Sequence, residues 1–334
     1  MKKIGITLLL LFFCISVTKA QNLIAVENNS TPAFFTQVTI AVTSANNGDT
    51  IYIPGGTWNI GTLIINKNLC IIGAGLNPDS AQANGYTYLN GDIALANGCS
   101  NGSLWGVLLQ GCIVNNYPND TVKNYTIRRC RFSGSNGVWF SKFFNHNLIA
   151  ENIFDYGFSG NSGATNNGFF NNFIITAIGR LIDGNTYKNN VFLSGNFVSP
   201  MNYSIFENNI FLSGSYLSSC QNCNFLNNLF VDNTTFPSGT NLGYNNLVNQ
   251  SQSSIFINQS GTTYSYSQDY HLQSTCPGKN AGSDGTDIGI YGGMFPWKDG
   301  SLPPNPHIKQ KTIQPSTDIN GNLNVNIKVA AQDH

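Results

Sequence analysis

Between residues 147 and 248 the apolar and polar positions form one repeated phrase. An apolar residue is followed by two spacers, an asparagine, another apolar residue, and then Phe or an aliphatic. The copies read LIAENIF, GFFNNFI, TYKNNVF, IFENNIF, NFLNNLF and LGYNNLV. Their second asparagines are Asn152, Asn172, Asn190, Asn209, Asn228 and Asn246, at intervals of 20, 18, 19, 19 and 18 residues. Self-similarity at that period marks a stacked repeat. No copy carries the i, i+3, i+4, i+7 spacing of a helix, and the L-x-x-L-x-L-x-x-N frame of leucine-rich repeats is absent. Short strands broken by an asparagine turn fit, because asparagine tolerates the left-handed backbone of a tight corner. Stacked about 4.8 Å apart, such strands place identical side chains in ladders. The six asparagines are therefore expected to form a structural ladder at a corner, with Phe154, Phe192, Phe211 and Phe230 stacked inside about ten coils.

One row does not fit simple alternation. The residue after each asparagine should point outward if the next one points in. Yet these residues are Ile153, Phe173, Val191, Ile210, Leu229 and Leu247. They would make an outward apolar stripe about 24 Å long at the strand spacing. Soluble proteins rarely leave such a patch bare, so loops or the C-terminal tail are expected to cover it, with a second copy or a partner as the alternative, unless a bulge at the corner turns both residues inward.

The rest of the chain extends this plan. Residues 1–20, with Lys2 and Lys3, an apolar run and Thr18-Lys19-Ala20, have the form of a secretory signal, so the protein is expected to be secreted or at the cell surface. Residues 21–47 form an N-terminal cap. Within it, 31–47 reads as a short amphipathic helix, with Ser30 as N-cap and Phe34, Val38, Val42 and Ala45 along one face, against a strand as the competing reading of a run rich in Thr and Val. Residues 48–297 are the solenoid. Extending the repeat backwards places Asn68, Gly91, Cys112 and Cys130 at the corner, and 249–297 closes the barrel. Residues 298–334 are a proline-containing linker and one terminal strand through Leu323, Val325, Ile327 and Val329.

The asparagine-corner coils, GDTIYIPGGTWNIGTLIINKNLCIIGAG at 48–75 and CPGKNAGSDGTDIGIYGG at 276–293 resemble the right-handed parallel β-helix proteins of the pectin-lyase-like group, particularly secreted ones of Bacteroidetes type. The resemblance spans most of the chain after the signal. It implies an all-β, right-handed parallel β-helix. Its group includes polysaccharide lyases, glycoside hydrolases, phage tailspikes and adhesins, so function has to be read from a site.

Charged residues make up 10% of the chain and the formal net charge is zero. That gives no basic face for nucleic acid, and the apolar run at the N-terminus is too short to suggest a membrane span. Eight cysteines are present, seven of them after residue 20. Cys112 and Cys130 are expected to be ladder neighbours within disulfide reach. Cys220 and Cys223, in SCQNC, read as stacked thiols, a local disulfide or, least of all, a metal site.

Candidate chemistry is sparse. The lyase motifs W-I-D-H and R-x-P-x-x-R and the hydrolase motifs N-T-D, G-H-G and R-I-K are absent. Asp155 and Asp232 fall roughly 15 Å apart by strand spacing, too far for a glycosidase pair. Trp139 and Lys142 could line a sugar groove, and Arg180 with Asp183 is a close opposite-charge pair in GRLIDG. His146 and His271 stand alone. No cofactor is expected, although Asp284 and Asp287 in SDGTDIG offer carboxylates for calcium, against the alternative of Asx turns. Two function classes stay open. One is a non-catalytic secreted solenoid that binds a polysaccharide or cell-surface glycan, or belongs to a surface assembly. The other is a polysaccharide lyase or glycoside hydrolase acting on acidic polysaccharide.

Overall fold

The structure, a computed structural model, describes residues 23–28, 31–78, 85–115, 119–134, 138–140, 143–160, 163–176, 183–194, 201–213, 220–302 and 307–330. The signal segment, Ser30, Lys142 and Arg180 lie outside the described residues. The architecture is a parallel β-solenoid of about eight turns, fewer than the ten expected. In the last coil Leu242–Tyr244 joins the first sheet, while the second side forms the bridge Leu229↔Leu247 in place of a paired strand.

The first sheet has twelve strands. Two at its N-terminal edge, Ile24–Glu27 and Ala33–Phe35, run antiparallel, and the others stack in parallel from Thr50–Tyr52 to Leu242–Tyr244. A ten-stranded second sheet carries the residues after each asparagine, such as Ile153–Phe154 and Val191–Phe192. Register is strict. Ile149, Phe169, Tyr187, Phe206, Phe225 and Gly243 face one another in successive coils.

The cap differs from its sequence reading. The helix α1 is only Val38–Ser44, with Gln37 extended at its start, and Val38, Ala41 and Val42 buried. Residues 33–35 form a strand instead, and Phe34 is exposed. Ile24–Glu27 pairs with the solenoid's first strand, Thr50–Tyr52, and residues 33–35 pair with the other side of Ile24–Glu27, covering an edge that would otherwise recruit neighbours.

The lumen is filled by ring stacks. Phe169, Tyr187, Phe206 and Phe225 are successively 4.8, 4.8 and 4.7 Å apart between centroids. These separations match the strand spacing, so backbone pairing and ring stacking reinforce each other. Gly243 ends the row because Phe236 fills its place: a Cβ at Gly243 would lie 2.3 Å from the Phe236 ring. Phe236 packs instead on Phe225 and Phe230 and plugs the end of the lumen. Tyr187 carries a cost that its Phe neighbours lack. Its buried hydroxyl finds no hydrogen-bond partner among the described residues. Tyr187→Phe is expected to raise unfolding free energy by about 1–2 kcal/mol in urea denaturation; a loss of stability would show the hydroxyl to be paired.

The paired asparagines divide the corner between them. The left-handed residue is the first of each pair: Asn171, Asn189, Asn208, Asn227 and Asn245, with Arg129 and Glu151 in earlier coils, all have φ between 51° and 57°. From Asn152 to Asn228 the second residue is fully buried and its amide is fully used. Asn172, for example, donates to Ile149 O (2.9 Å) and Asn190 Oδ1 (2.9 Å), while its own Oδ1 accepts from the backbone and side chain of Asn152. The chain of amides runs from Asn152 to Asn246. Thus the backbone strain assigned above to the second asparagine belongs to the first. A parallel ladder of Asn147, Asn167 and Asn185 lines the opposite end of the first sheet's strands. There Cys223 takes the asparagine position further along, its thiol donating to Met201 O at 2.8 Å.

Backward extension of the repeat misplaced Cys112. Cys130 is one coil from Asn152, whose Oδ1 accepts the Cys130 N–H. Phe132 aligns with Leu109, so the residue below Cys130 is Val107. Cys112 instead hydrogen-bonds Asp92 on another stretch of the coil. None of Cys112, Cys130, Cys220 and Cys223 is joined in a disulfide. Loops of unequal length in the early coils break the simple count.

Residues 249–302 do not close the barrel; they fold back along its outside. The stripe Ile153, Phe173, Val191, Ile210 and Leu229 is buried in a cluster separate from the lumen, with Ile255, Phe256, Tyr270, Leu272, Ile288, Ile290 and Trp297 over it. The returning strap runs antiparallel to the coil order, and the left-handed asparagines fasten it. Asn227 reaches Ala281 O, Asn208 pairs with Ser283, Asn189 reaches Asp287 O and Gly289 O, and Asn171 reaches Ile290 O and Gly292 O. Arg129, in the same row, donates to Leu302 O at 2.6 Å and pairs with buried Glu151, which also pairs with Arg128. The tail is a hairpin of His307–Ile313 with Val325–Ala330 rather than one strand. Its Ile313, Val325, Ile327 and Val329 are exposed, so the tail does not cover the stripe.

Candidate functional site

The cover over the stripe builds a cleft. Phe256–Asn258 pairs antiparallel with Asp269–Leu272, and the chain leading into the second strand has Tyr264, Tyr266, Gln268 and Tyr270 at alternate positions. From the strap come Tyr291, Trp297 and Asp299, and from the early coils Asn77. Together with Asp269 and His271 these residues line a cleft of about 250 Å³.

The aromatic wall rests on the solenoid. Phe173, in the stripe, contacts Tyr264, Tyr270 and Trp297 at 4.8, 4.6 and 5.1 Å between centroids. Tyr264 lies parallel to Tyr270 and perpendicular to Tyr266. Below them Arg131 spreads under Tyr264 and Tyr266 at 5.7 and 5.3 Å, while Asp155 grips the same guanidinium with bonds of 2.8 and 3.1 Å. Tyr266 donates its hydroxyl to Leu76 O, tying the cover to the first coils.

The polar rim is connected. His271 Nδ1 is 2.7 Å from Asp269 Oδ1, and its ring stacks on Tyr291 at 3.7 Å. Tyr291 donates to Asp299 Oδ1 at 2.8 Å. Asn171 holds the carbonyls on both sides of Tyr291, at 2.8 and 2.7 Å, and so fixes that ring's position from beneath. The His271 backbone N–H, above all, holds the Asp269 carboxyl below its ordinary value; desolvation opposes it and the His271 ring adds to it. Burial pushes Tyr270 up to about 12. Burial raises Tyr264 as well, and burial with the Asp299 bond raises Tyr291. All three are neutral at pH 7 and present hydroxyl donors and apolar ring faces. Rings with a few convergent polar groups are the usual make-up of a small-molecule site.

The sequence candidates fall elsewhere. Trp139 is partly exposed on the strand Val138–Phe140. Asp183 sits before a turn and accepts the Asn202 N–H at 2.7 Å. Among the described residues no hydrogen bond, ion pair or ring contact joins the two. Asp284 accepts from Thr286, and Asp287 from the Asn280 N–H and Lys279. Among the described residues no group of three or more His, Cys, Asp or Glu comes together. His271, taken as isolated, has Asp269 two residues before it. The cleft's signal was present in the Y-x-Y-x-Q-x-Y alternation at 264–270, but alternation alone does not tell which side faces a cavity.

Comparison of the chain with protein-family models, curated proteins and solved structures finds no match. The fold defines the class, a parallel β-solenoid. Among the described residues no helix is long and apolar enough to cross a membrane.

Proposed function

We propose that this is an exported, non-catalytic β-solenoid of the right-handed, pectin-lyase-like kind that binds a polysaccharide or cell-surface glycan in the aromatic cleft. The observation that carries the proposal is the meeting of Tyr264, Tyr291 and Trp297 with Asp269, His271 and Asp299 around one cavity. Aromatic faces take the C–H face of a pyranose, and carboxylates and amides accept its hydroxyls. The signal-like segment at 1–20 supports export. Trp139 and Asp183 are left as surface positions outside this site.

A second reading has one observation in its favour. The Asp269–His271 pair orients an imidazole at the cleft rim, as a general base requires. A lyase on acidic polysaccharide also needs cationic groups against the uronate, and among the described lining residues there is no lysine or arginine.

A glycan array followed by titration tests binding. Tyr291→Ala is expected to weaken the captured glycan at least tenfold, about 1.4 kcal/mol. Asn171→Ala is expected to weaken it less, by freeing Tyr291, and Asn208→Ala, which holds Ser283 instead, to leave it unchanged. Retained binding in Tyr291→Ala would remove the cleft from the function. Ultraviolet absorbance from unsaturated uronate ends, or new reducing ends lost in His271→Ala, would establish the catalytic reading.

A further inference from the structure

We infer that the cleft selects a cationic amino sugar, a pyranose bearing a free ammonium group, over neutral and acidic sugars. This rests on the glycan-binding reading and narrows it. Two carboxylates, Asp269 and Asp299, line the cavity, and no lysine or arginine is among its described lining residues. His271 is the one lining side chain able to add positive charge, and its Nδ1 already faces Asp269. The Arg131 guanidinium beneath the tyrosines has its charge matched by Asp155. The cavity is therefore negative at neutral pH.

The walls act in the same direction. Tyrosine and tryptophan faces carry negative potential and attract an ammonium group, more strongly as water is excluded. A carboxylate beside such a face adds a charge-assisted hydrogen bond. A uronate would instead bring a third carboxylate beside Asp269 and Asp299, and like-charge juxtaposition opposes binding. Size limits the ligand further. About 250 Å³ is below the roughly 300–1,000 Å³ of pockets for drug-sized ligands, which suits one terminal or side-branch sugar ring rather than a buried polymer segment.

Calorimetric titration of the purified protein with three oligosaccharides tests this. They are β-1,4-linked glucosamine, its N-acetylated counterpart and oligogalacturonate. Glucosamine oligomers are expected to bind at least about tenfold more tightly than the N-acetylated form, with oligogalacturonate weakest. Added salt should erode the glucosamine affinity and leave the N-acetylated affinity nearly constant. Asp299→Asn and Asp269→Asn, which keep an acceptor oxygen, should each shrink the preference at least threefold without changing the thermal unfolding midpoint. Equal affinity for the acetylated and free amines, or preference for oligogalacturonate, would overturn the charge inference and leave glycan binding standing. Failure of all three sugars to bind while the array captures another glycan would overturn the charge inference alone, and failure on the array as well would overturn both. Should the variants prove unstable, the salt dependence of the unaltered protein decides the question.

Discussion

Asn190→Ala is expected to lower the unfolding free energy by about 4 kcal/mol, combining an unpaired buried donor with a cavity. The Asn190 amide sits in the middle of the ladder and is fully buried. Its Oδ1 accepts the Asn172 N–H at 2.9 Å and the Asn172 side chain at 2.9 Å. Its Nδ2 donates to Phe169 O at 2.8 Å and to Asn209 Oδ1 at 3.0 Å. Truncation leaves the Asn172 N–H without an acceptor at a corner where water has no room, and removes a donor from Phe169 O. Asn224, exposed in the first sheet two coils further along, gives the control: Asn224→Ala should change stability by no more than about 0.5 kcal/mol. Urea denaturation followed by tryptophan fluorescence would measure both. Equal costs would mean that the ladder is ornament and that backbone pairing alone holds the corner.

Phe211→Ala is expected to cost about 3–5 kcal/mol by the same measurement. The Phe211 ring lies between Phe192 and Phe230 at 4.5 and 4.7 Å, nearly parallel to both and 1% exposed. Its neighbours cannot close the gap, because strand pairing fixes each ring's height along the stack. Phe211→Leu fills most of the space and should cost about 1–2 kcal/mol less than alanine. In a solenoid each coil rests mainly on its neighbours, so local opening is expected to spread from this coil. Hydrogen exchange in Ile205–Glu207 and Leu229–Phe230 should accelerate before that in Thr50–Tyr52. A cost under about 1 kcal/mol would place the ring outside the lumen.

Both predictions concern residues whose position could be deduced from the repeat, and the reason is physical. In a stacked parallel sheet, each coil repeats its neighbour's environment, so the same side chain solves the same packing problem every 18 to 20 residues. The Phe rows and the asparagine positions are therefore legible as periodicity. The outward stripe was legible too, because Ile153, Phe173, Val191, Ile210 and Leu229 break the alternation that a solvated face requires. What the repeat could not give was the division of labour within each Asn-Asn pair, since both residues are compatible with a corner. Only the tertiary structure shows the first at positive φ with its amide turned to the strap, and the second with its amide bonded along the ladder.

The cleft was hidden for a different reason. Tyr264, His271, Tyr291 and Asp299 lie outside the repeat, and local spacing says nothing about chain reversal. Cys112 failed similarly, because insertions in the early coils shift the count without changing the residue type.

The sequence by itself determined that this chain is a stack of short parallel strands with aromatic rows inside, asparagines at the corners and an apolar stripe needing cover. Those features recur in every coil, and recurrence is a one-dimensional signal. The tertiary structure alone decided what provides the cover. The strap after residue 249 turns back and is fastened by Asn171, Asn189, Asn208 and Asn227, and that return brings Tyr291 and Asp299 beside His271. Contacts between segments about a hundred residues apart follow from complementary surfaces, which no local pattern encodes.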